Sequence, residues 1–241
     1  MTQMLASVSS VAEAASILTV GPDIIDIKDP CKGALGAVEP DVARAIVKSI
    51  AGRTVTSATI GDLPLQVADI AAAIEKMQGT GVDIIKVGVF AEAMPDDVLR
   101  TIADYAQTGV RIVLVFFADL KPALNDLSLL PALGIYGIML DTADKSNGSL
   151  RTIIKDKALQ EFVSKARACG LMTGLAGSLK LMDIKPLLKL GPDYLGFRSA
   201  LCDRQQRRGT IDLHSARTVR AMIPVHAYDE VKEQDLILSM N

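Results

Sequence analysis

One short pattern occurs four times in this chain and constrains its folding more than any other feature. It reads "GPDIIDIK" from Gly21 to Lys28, "GVDIIKVG" from Gly81 to Gly88, "GIYGIMLD" from Gly134 to Asp141 and "GPDYLGFR" from Gly191 to Arg198. In each copy a glycine suited to the position just past a helix ends that helix. The next five or six residues are apolar enough to be covered on both faces, as in a buried parallel strand. The copies lie about 53 to 60 residues apart, roughly twice the length of one strand-plus-helix unit, so a further strand belongs midway between each pair.

Those strands are present as "MLASV" (Met4 to Val8), "TVTSAT" (Thr54 to Thr59), "RIVLVFF" (Arg111 to Phe117) and "LMTGLA" (Leu171 to Ala176). Amphipathic or Ala-rich helical segments lie between strands, among them Leu65 to Gln78, Pro95 to Gln107, Ala158 to Ala168 and Ile211 to Met222. Eight β-runs alternating with eight α-runs, without a linker, predict an α/β protein of the (β/α)₈ TIM-barrel type rather than an open doubly wound sheet. The barrel domain is expected over residues 1–223. A short C-terminal extension over 224–241, "PVHAYDEVKEQDLILSMN", is expected to add a helix or a packing arm.

Composition narrows the partners. Twenty-six basic against 28 acidic residues give a formal charge of -2, so no overall field favours nucleic acid or an anionic membrane. Cys31, Cys169 and Cys202 are odd in number and widely spaced, with neither a disulfide framework nor a metal-binding pair, which fits a reducing cytoplasm. The N-terminal "MTQMLASVSSVAEAA" lacks the basic and apolar regions of a signal peptide, and no 18-residue uncharged apolar run occurs, so neither export nor a membrane span is expected. Cys31 and Cys202 read as small apolar fillers, and His214 and His226 are too isolated for a metal site. No metal and no cofactor are expected.

Barrel enzymes place their chemistry at the C-terminal ends of the strands. Here those ends are polar: Asp26 and Lys28, Ser57 and Thr59, Lys86, Asp141 with Lys145 in the following loop, and Arg198. Side chains alternate along a strand, so Asp26 and Lys28 share a face, and Lys86 at a matching depth would project into the same mouth. A lysine in a partly dry pocket, beside a second ammonium, loses its proton more easily and can attack a carbonyl or take up a proton near neutral pH. The aspartates would orient the amines and handle protons. The plainer reading makes each lysine a salt-bridged strand end, Asp141 a helix cap or loop anchor, and Lys145 an exposed side chain.

A second signal lies in "LAGSLK" and "GFRSALC" at the seventh and eighth strand ends, where barrels often hold phosphate. Ala176, Gly177, Ser178, Gly196 and Ser199 are small enough to let backbone N–H groups approach an anion, with Arg198 adjacent. A helix starting near Ser178 would add its dipole. The basic run "DRQQRRGT" from Asp203 to Thr210 reads as a solvated loop whose arginines could reach an anionic substrate or a neighbouring subunit.

Taken together, "DIIDIKDPCKGALGA", "SATIGDLP", "IIKVGVF", "MLDTADK", "LAGSLK" and "GFRSALC" span nearly all of the barrel, and the chain resembles the (5-formylfuran-3-yl)methyl phosphate synthase family. The resemblance implies a lyase of methanofuran and methylofuran biosynthesis. Such an enzyme joins two molecules of glyceraldehyde 3-phosphate, one of them isomerised to dihydroxyacetone phosphate, with loss of phosphate and water. By the same resemblance Lys28 forms a Schiff base, Lys86 accepts a proton, and Asp26, Asp141 and Lys145 assist. A triose phosphate is then the small-molecule partner, and a homo-oligomer is expected. The alternatives are a Schiff-base aldolase or isomerase of another sugar phosphate, or a barrel that binds a phosphorylated ligand without catalysis.

Overall fold

The computed structural model describes residues 1–124 and 127–224. Eight parallel strands, β1 (Gln3–Val8), β2 (Ile24–Ile27), β3 (Val55–Thr59), β4 (Ile84–Val89), β5 (Ile112–Phe117), β6 (Gly137–Asp141), β7 (Met172–Leu175) and β8 (Tyr194–Phe197), close into a barrel in sequence order. Closure comes from β8 pairing back onto β1, with Leu5 opposite Gly196. The TIM-barrel fold expected from the repeated glycine–strand pattern is therefore the observed one.

Around it lie α1 (Val11–Leu18), α2 (Pro40–Ile50), α3 (Val67–Gln78), α4 (Asp96–Gln107), the single turn α5 (Leu150–Ile153), α6 (Asp156–Ala168), α7 (Leu181–Leu190) and α8 (Leu213–Ala221). Their inward stripes, such as Ile46 and Ile50 of α2 or Leu159 and Val163 of α6, are fully or almost fully buried. They pack on the outward strand residues Ile25, Ile27, Val87, Leu114 and Leu140. The four-residue spacing of each stripe is that of a helix covering a sheet.

Two expectations are corrected. Eight full helices were expected, yet among the described residues β5 and β6 are joined by a 3₁₀ turn at Ala118–Leu120 and by tight turns over 128–134. Pro122 follows Lys121, which takes a left-handed φ of 50°, and Pro131 recurs before β6. Each proline removes a backbone donor and disfavours a helical residue before it. Helix α7 begins at Leu181, not near Ser178, because Ser178 itself has φ 47°. Of the C-terminal extension only Pro224 is described, so the expected helix or arm, with His226, lies outside the described residues.

The barrel interior explains why buried strands finish in charge. Leu5, Ile24, Ile84, Val113, Met139 and Tyr194 form an inner apolar cluster separate from the helix–sheet core. Two residues further along, the next inward positions are Ser7, Asp26, Lys86 and Asp141, with Val115 on β5 and Gly196 on β8. Strand register sets the depth, with Ser7 opposite Asp26 and Asp26 opposite Ser57. The lower layer leaves no room: a Cβ on Gly174 would lie 2.2 Å from the Tyr194 ring. Polarity is thus confined to the upper layer of a filled barrel.

Candidate active site

Asp26 is the hub of that upper layer. Its Oδ1 lies 2.5 Å from Lys86 Nζ and accepts a 2.7 Å hydrogen bond from Ser57, while Oδ2 accepts one of 3.0 Å from Ser7. The serines come from the two strands flanking β2 and Lys86 from β4 one strand further on, so the geometry is fixed by the sheet itself. Lys28 follows one residue beyond β2 but keeps the ladder, donating its backbone N–H to Val8 at 2.9 Å. Its Nζ is 3.9 Å from Asp26 Oδ2, a looser contact than that of Lys86.

Across the mouth, Asp141 ends β6 and accepts hydrogen bonds from the Thr142 backbone N–H at 2.7 Å and from Lys145 Nζ at 2.5 Å. Lys145, on a 3₁₀ turn over Lys145–Asn147, also donates to the Thr142 carbonyl and, at 3.3 Å, to its hydroxyl. Asp141 is therefore no helix cap, and Lys145 is no free surface lysine. Lys28, Asp141 and Lys145 line one cavity. The five residues singled out from strand-end chemistry lie together at the mouth.

Burial sets the electrostatics. Desolvation is the largest influence on Lys28 and drives its amine down; Asp26 and Asp141 oppose, Lys86 and Lys145 reinforce, and the result is a pKa of about 8. Roughly a tenth of such an amine is neutral at pH 7, against a negligible fraction for an ordinary lysine near 10.4. Burial would raise the Asp26 carboxyl, but Lys86 and then Lys28 outweigh it and hold Asp26 below its ordinary value. Asp141 is likewise pushed up by burial and brought below its usual value by Lys145 and Lys28. Two carboxylates thus stay ionised beside one amine poised to lose its proton. Tyr194, a layer below, has its phenol raised by burial and by Asp26, so it stays protonated.

Ala176, Gly177, Ser178, Gly196, Arg198 and Ser199 line the same cavity as Lys28. Gly177 has φ 105°, and a Cβ there would meet the Thr142 methyl at 2.8 Å, so only glycine lets this turn close on the Asp141 loop. Arg198 differs from the free anion-binding group that its position suggested. It pairs with Glu13 through Nη1 at 2.7 Å and Nη2 at 2.9 Å, and donates further to the carbonyls of Ser7, Arg207 and Gly209.

Sequence reasoning missed Ser7 and Asp62, and raised Arg207 only within a basic run whose arginines could reach an anionic substrate or a neighbouring subunit. Ser7 was legible from its place two residues after Leu5 on β1. Arg207 reaches the cavity from a loop that read as solvated. Asp62 accepts from the Ala34 and Leu35 amides at 2.7 Å each and so holds the loop after Lys28. Cys202 is buried as expected, whereas Cys31 is exposed and His214 lies on an outer helix. Among the described residues no three His, Cys, Asp or Glu side chains are grouped as metal ligands, and no helix is long and apolar enough to cross a membrane.

Fold and site together define a (β/α)₈ barrel with a lysine–aspartate centre at its strand C-termini. Residues 4–220 match the family described as 4-HFC-P synthase, and the chain belongs to that family. A Methylorubrum extorquens homologue, provisionally named a (5-formylfuran-3-yl)methyl phosphate synthase, is 44% identical over 221 residues, 91% of each chain. The (5-formylfuran-3-yl)methyl phosphate synthase of Methanosarcina mazei is 35% identical over 205 residues, covering 79% of this chain and 87% of that one. Among solved structures, a 3-hexulose-6-phosphate synthase superimposes with TM-score 0.64 at 17% identity, covering 92% of this chain and 100% of that one. Phosphoribosyl anthranilate isomerase from Thermus thermophilus gives 0.64 at 13% identity over 92% and 98%. These two likenesses carry the fold alone.

Proposed function

We propose that this protein is a (5-formylfuran-3-yl)methyl phosphate synthase acting in the cytoplasm, in methanofuran or methylofuran biosynthesis. It would condense two molecules of glyceraldehyde 3-phosphate, one by way of dihydroxyacetone phosphate, with loss of inorganic phosphate and water. Lys28 forms the Schiff base with the triose carbonyl. The imine serves as an electron sink that acidifies the neighbouring C–H, and Lys86, once its own ammonium proton has passed to solvent and left the amine neutral beside Asp26, accepts that proton. Asp141 and Lys145 face the same cavity and assist later proton transfers as oxygen leaves.

The observation that carries this reading is the Lys28 amine, buried at the mouth, with a pKa of about 8 and, among the described residues, no carboxylate oxygen nearer than the 3.9 Å contact to Asp26. Membership of the family supports the product. Borohydride reduction with glyceraldehyde 3-phosphate should add a covalent mass to the Lys28 peptide; an unlabelled peptide removes the imine. Lys28→Arg keeps the charge but not the nucleophile, so turnover should vanish while folding persists. Active enzyme should release inorganic phosphate together with furan-aldehyde ultraviolet absorption, whereas an aldolase would give a sugar phosphate reversibly.

A further inference from the structure

Five cationic groups meet three carboxylates around the barrel mouth. Lys86 pairs with Asp26, Lys145 with Asp141 and Arg198 with Glu13. Lys28 shares Asp26 only through a looser 3.9 Å contact, and Arg207 has no ion pair among the described residues. If Lys28 is the nucleophile, one guanidinium remains without an assigned role.

Arg207 belongs to the loop between β8 and α8, where Arg204 and Gln205 take consecutive left-handed φ values of 49° and 57°. Non-glycine residues pay conformational strain there, and such strain persists where surrounding structure imposes it. The turn brings Arg207 over the mouth, where Nη2 donates to the carbonyls of Gly33 at 2.6 Å and Ala34 at 3.1 Å. These belong to the loop that leads away from Lys28. Among the described residues these are the only hydrogen bonds its side chain makes, so Nε and Nη1 have no protein acceptor there. The side chain is half-buried and lines the cavity with Lys28, Lys145, Ser178 and Ser199. Burial disfavours its charge, and Asp141 and Asp62 counter this only at a distance. A guanidinium so placed gains from a bidentate anion.

We propose that Arg207, rather than Arg198, is the side chain that binds a phosphate group of the substrate and so selects phosphorylated trioses. The proposal rests on the triose phosphate reading above. Nε and Nη1 face the anion while Nη2 keeps the loop after Lys28 in place, so phosphate recognition and the position of the nucleophile share one side chain. Arg198 serves instead as a brace, tying β8 to Glu13 of α1.

The test compares ligands with and without a phosphate in wild type and Arg207→Gln. The KM for glyceraldehyde 3-phosphate should rise at least about tenfold, the loss expected for one charge-assisted hydrogen bond. Calorimetric affinity for inorganic phosphate should fall similarly. Borohydride labelling of Lys28 by glyceraldehyde, which lacks the phosphate, should fall far less than labelling by glyceraldehyde 3-phosphate, because only the loop contact and not the anion contact is lost. Unchanged KM and phosphate affinity would overturn the proposal. So would an equal loss with glyceraldehyde, which would make Arg207 only a loop brace. If wild type never labels at Lys28, the Schiff-base reading falls, and phosphate calorimetry still decides the role of Arg207.

Discussion

The two Asp–Lys pairs of the site match at the atoms, each with a 2.5 Å contact, and differ in what supports them. Asp26 and Lys86 both stand on strands, are 0% and 1% exposed, and are joined by two serine hydroxyls from β1 and β3. Lys145 stands on a 3₁₀ turn, its side chain is 17% exposed, and its other partners are atoms of Thr142. A strand pair locked by register holds a single geometry, as a group acting on one fixed carbon requires. The rim pair has one member on a strand, Asp141 at the end of β6, and the other on a loop, so its geometry is set by register on one side only.

Removing the lysine from each pair should expose this difference most strongly. Lys86→Met leaves Asp26 buried with only the distant Lys28 ammonium, and breaking such a pair costs about 3–5 kcal/mol. Lys145→Met removes a partly exposed lysine and leaves the buried Asp141 its Thr142 amide at the edge of the cavity, with an expected cost of about 1–2 kcal/mol. Urea unfolding at pH 7 measures both, and equal losses would mean that the pairs are not differently supported. Turnover should fall in both variants.

The pH dependence of Lys28 sharpens the comparison. Its labelling rate follows the free amine and should rise with pH about a midpoint near 8. Asp26 holds the proton on Lys28 more strongly than Asp141 does, so Asp26→Asn should lower the midpoint further than Asp141→Asn. Lys86→Met should raise it more than Lys145→Met. A larger shift from the rim residues would reverse the assignment. The stability linkage has a definite sign: the folded pKa lies below the unfolded value of 10.5, so the unfolded chain binds more protons between about 8 and 10.5. This lysine therefore disfavours folding below pH 8, and its contribution to stability improves as pH rises through that window.

The same contrast explains what was legible in the sequence. Period-two alternation on strands places Asp26, Lys28 and Lys86 in one mouth without any knowledge of loops. The Lys145 contact with Asp141 depends on the course of a loop, which strand periodicity does not specify. Arg207 was harder still, because two left-handed residues without a glycine aim it, and neither Arg204 nor Gln205 signals such a turn. The absence of a helix between β5 and β6 among the described residues was hidden by apolar residues over 117–131 of the sequence that suit one, while Pro122 and Pro131 forbid a continuous one. Arg198 was located correctly at a strand end, but its partner Glu13 lies 185 residues away in sequence.

The smallest expected difference lies in the hydroxyls that serve each pair. Ser57 donates to Asp26 Oδ1 at 2.7 Å from within the sheet, and water cannot replace it there; Ser57→Ala should cost about 1–2 kcal/mol, the range for a bond to a buried charge. Thr142 offers Lys145 a longer contact of 3.3 Å, and the lysine keeps Asp141 and the Thr142 carbonyl without it. Thr142→Val should therefore cost no more than about 0.5 kcal/mol, near the lower bound for a single net hydrogen bond. Thermal melts of the two variants side by side read the difference. A Thr142→Val loss as large as that of Ser57→Ala would show the rim pair to be as rigidly held as the strand pair, and the difference in support would vanish with it.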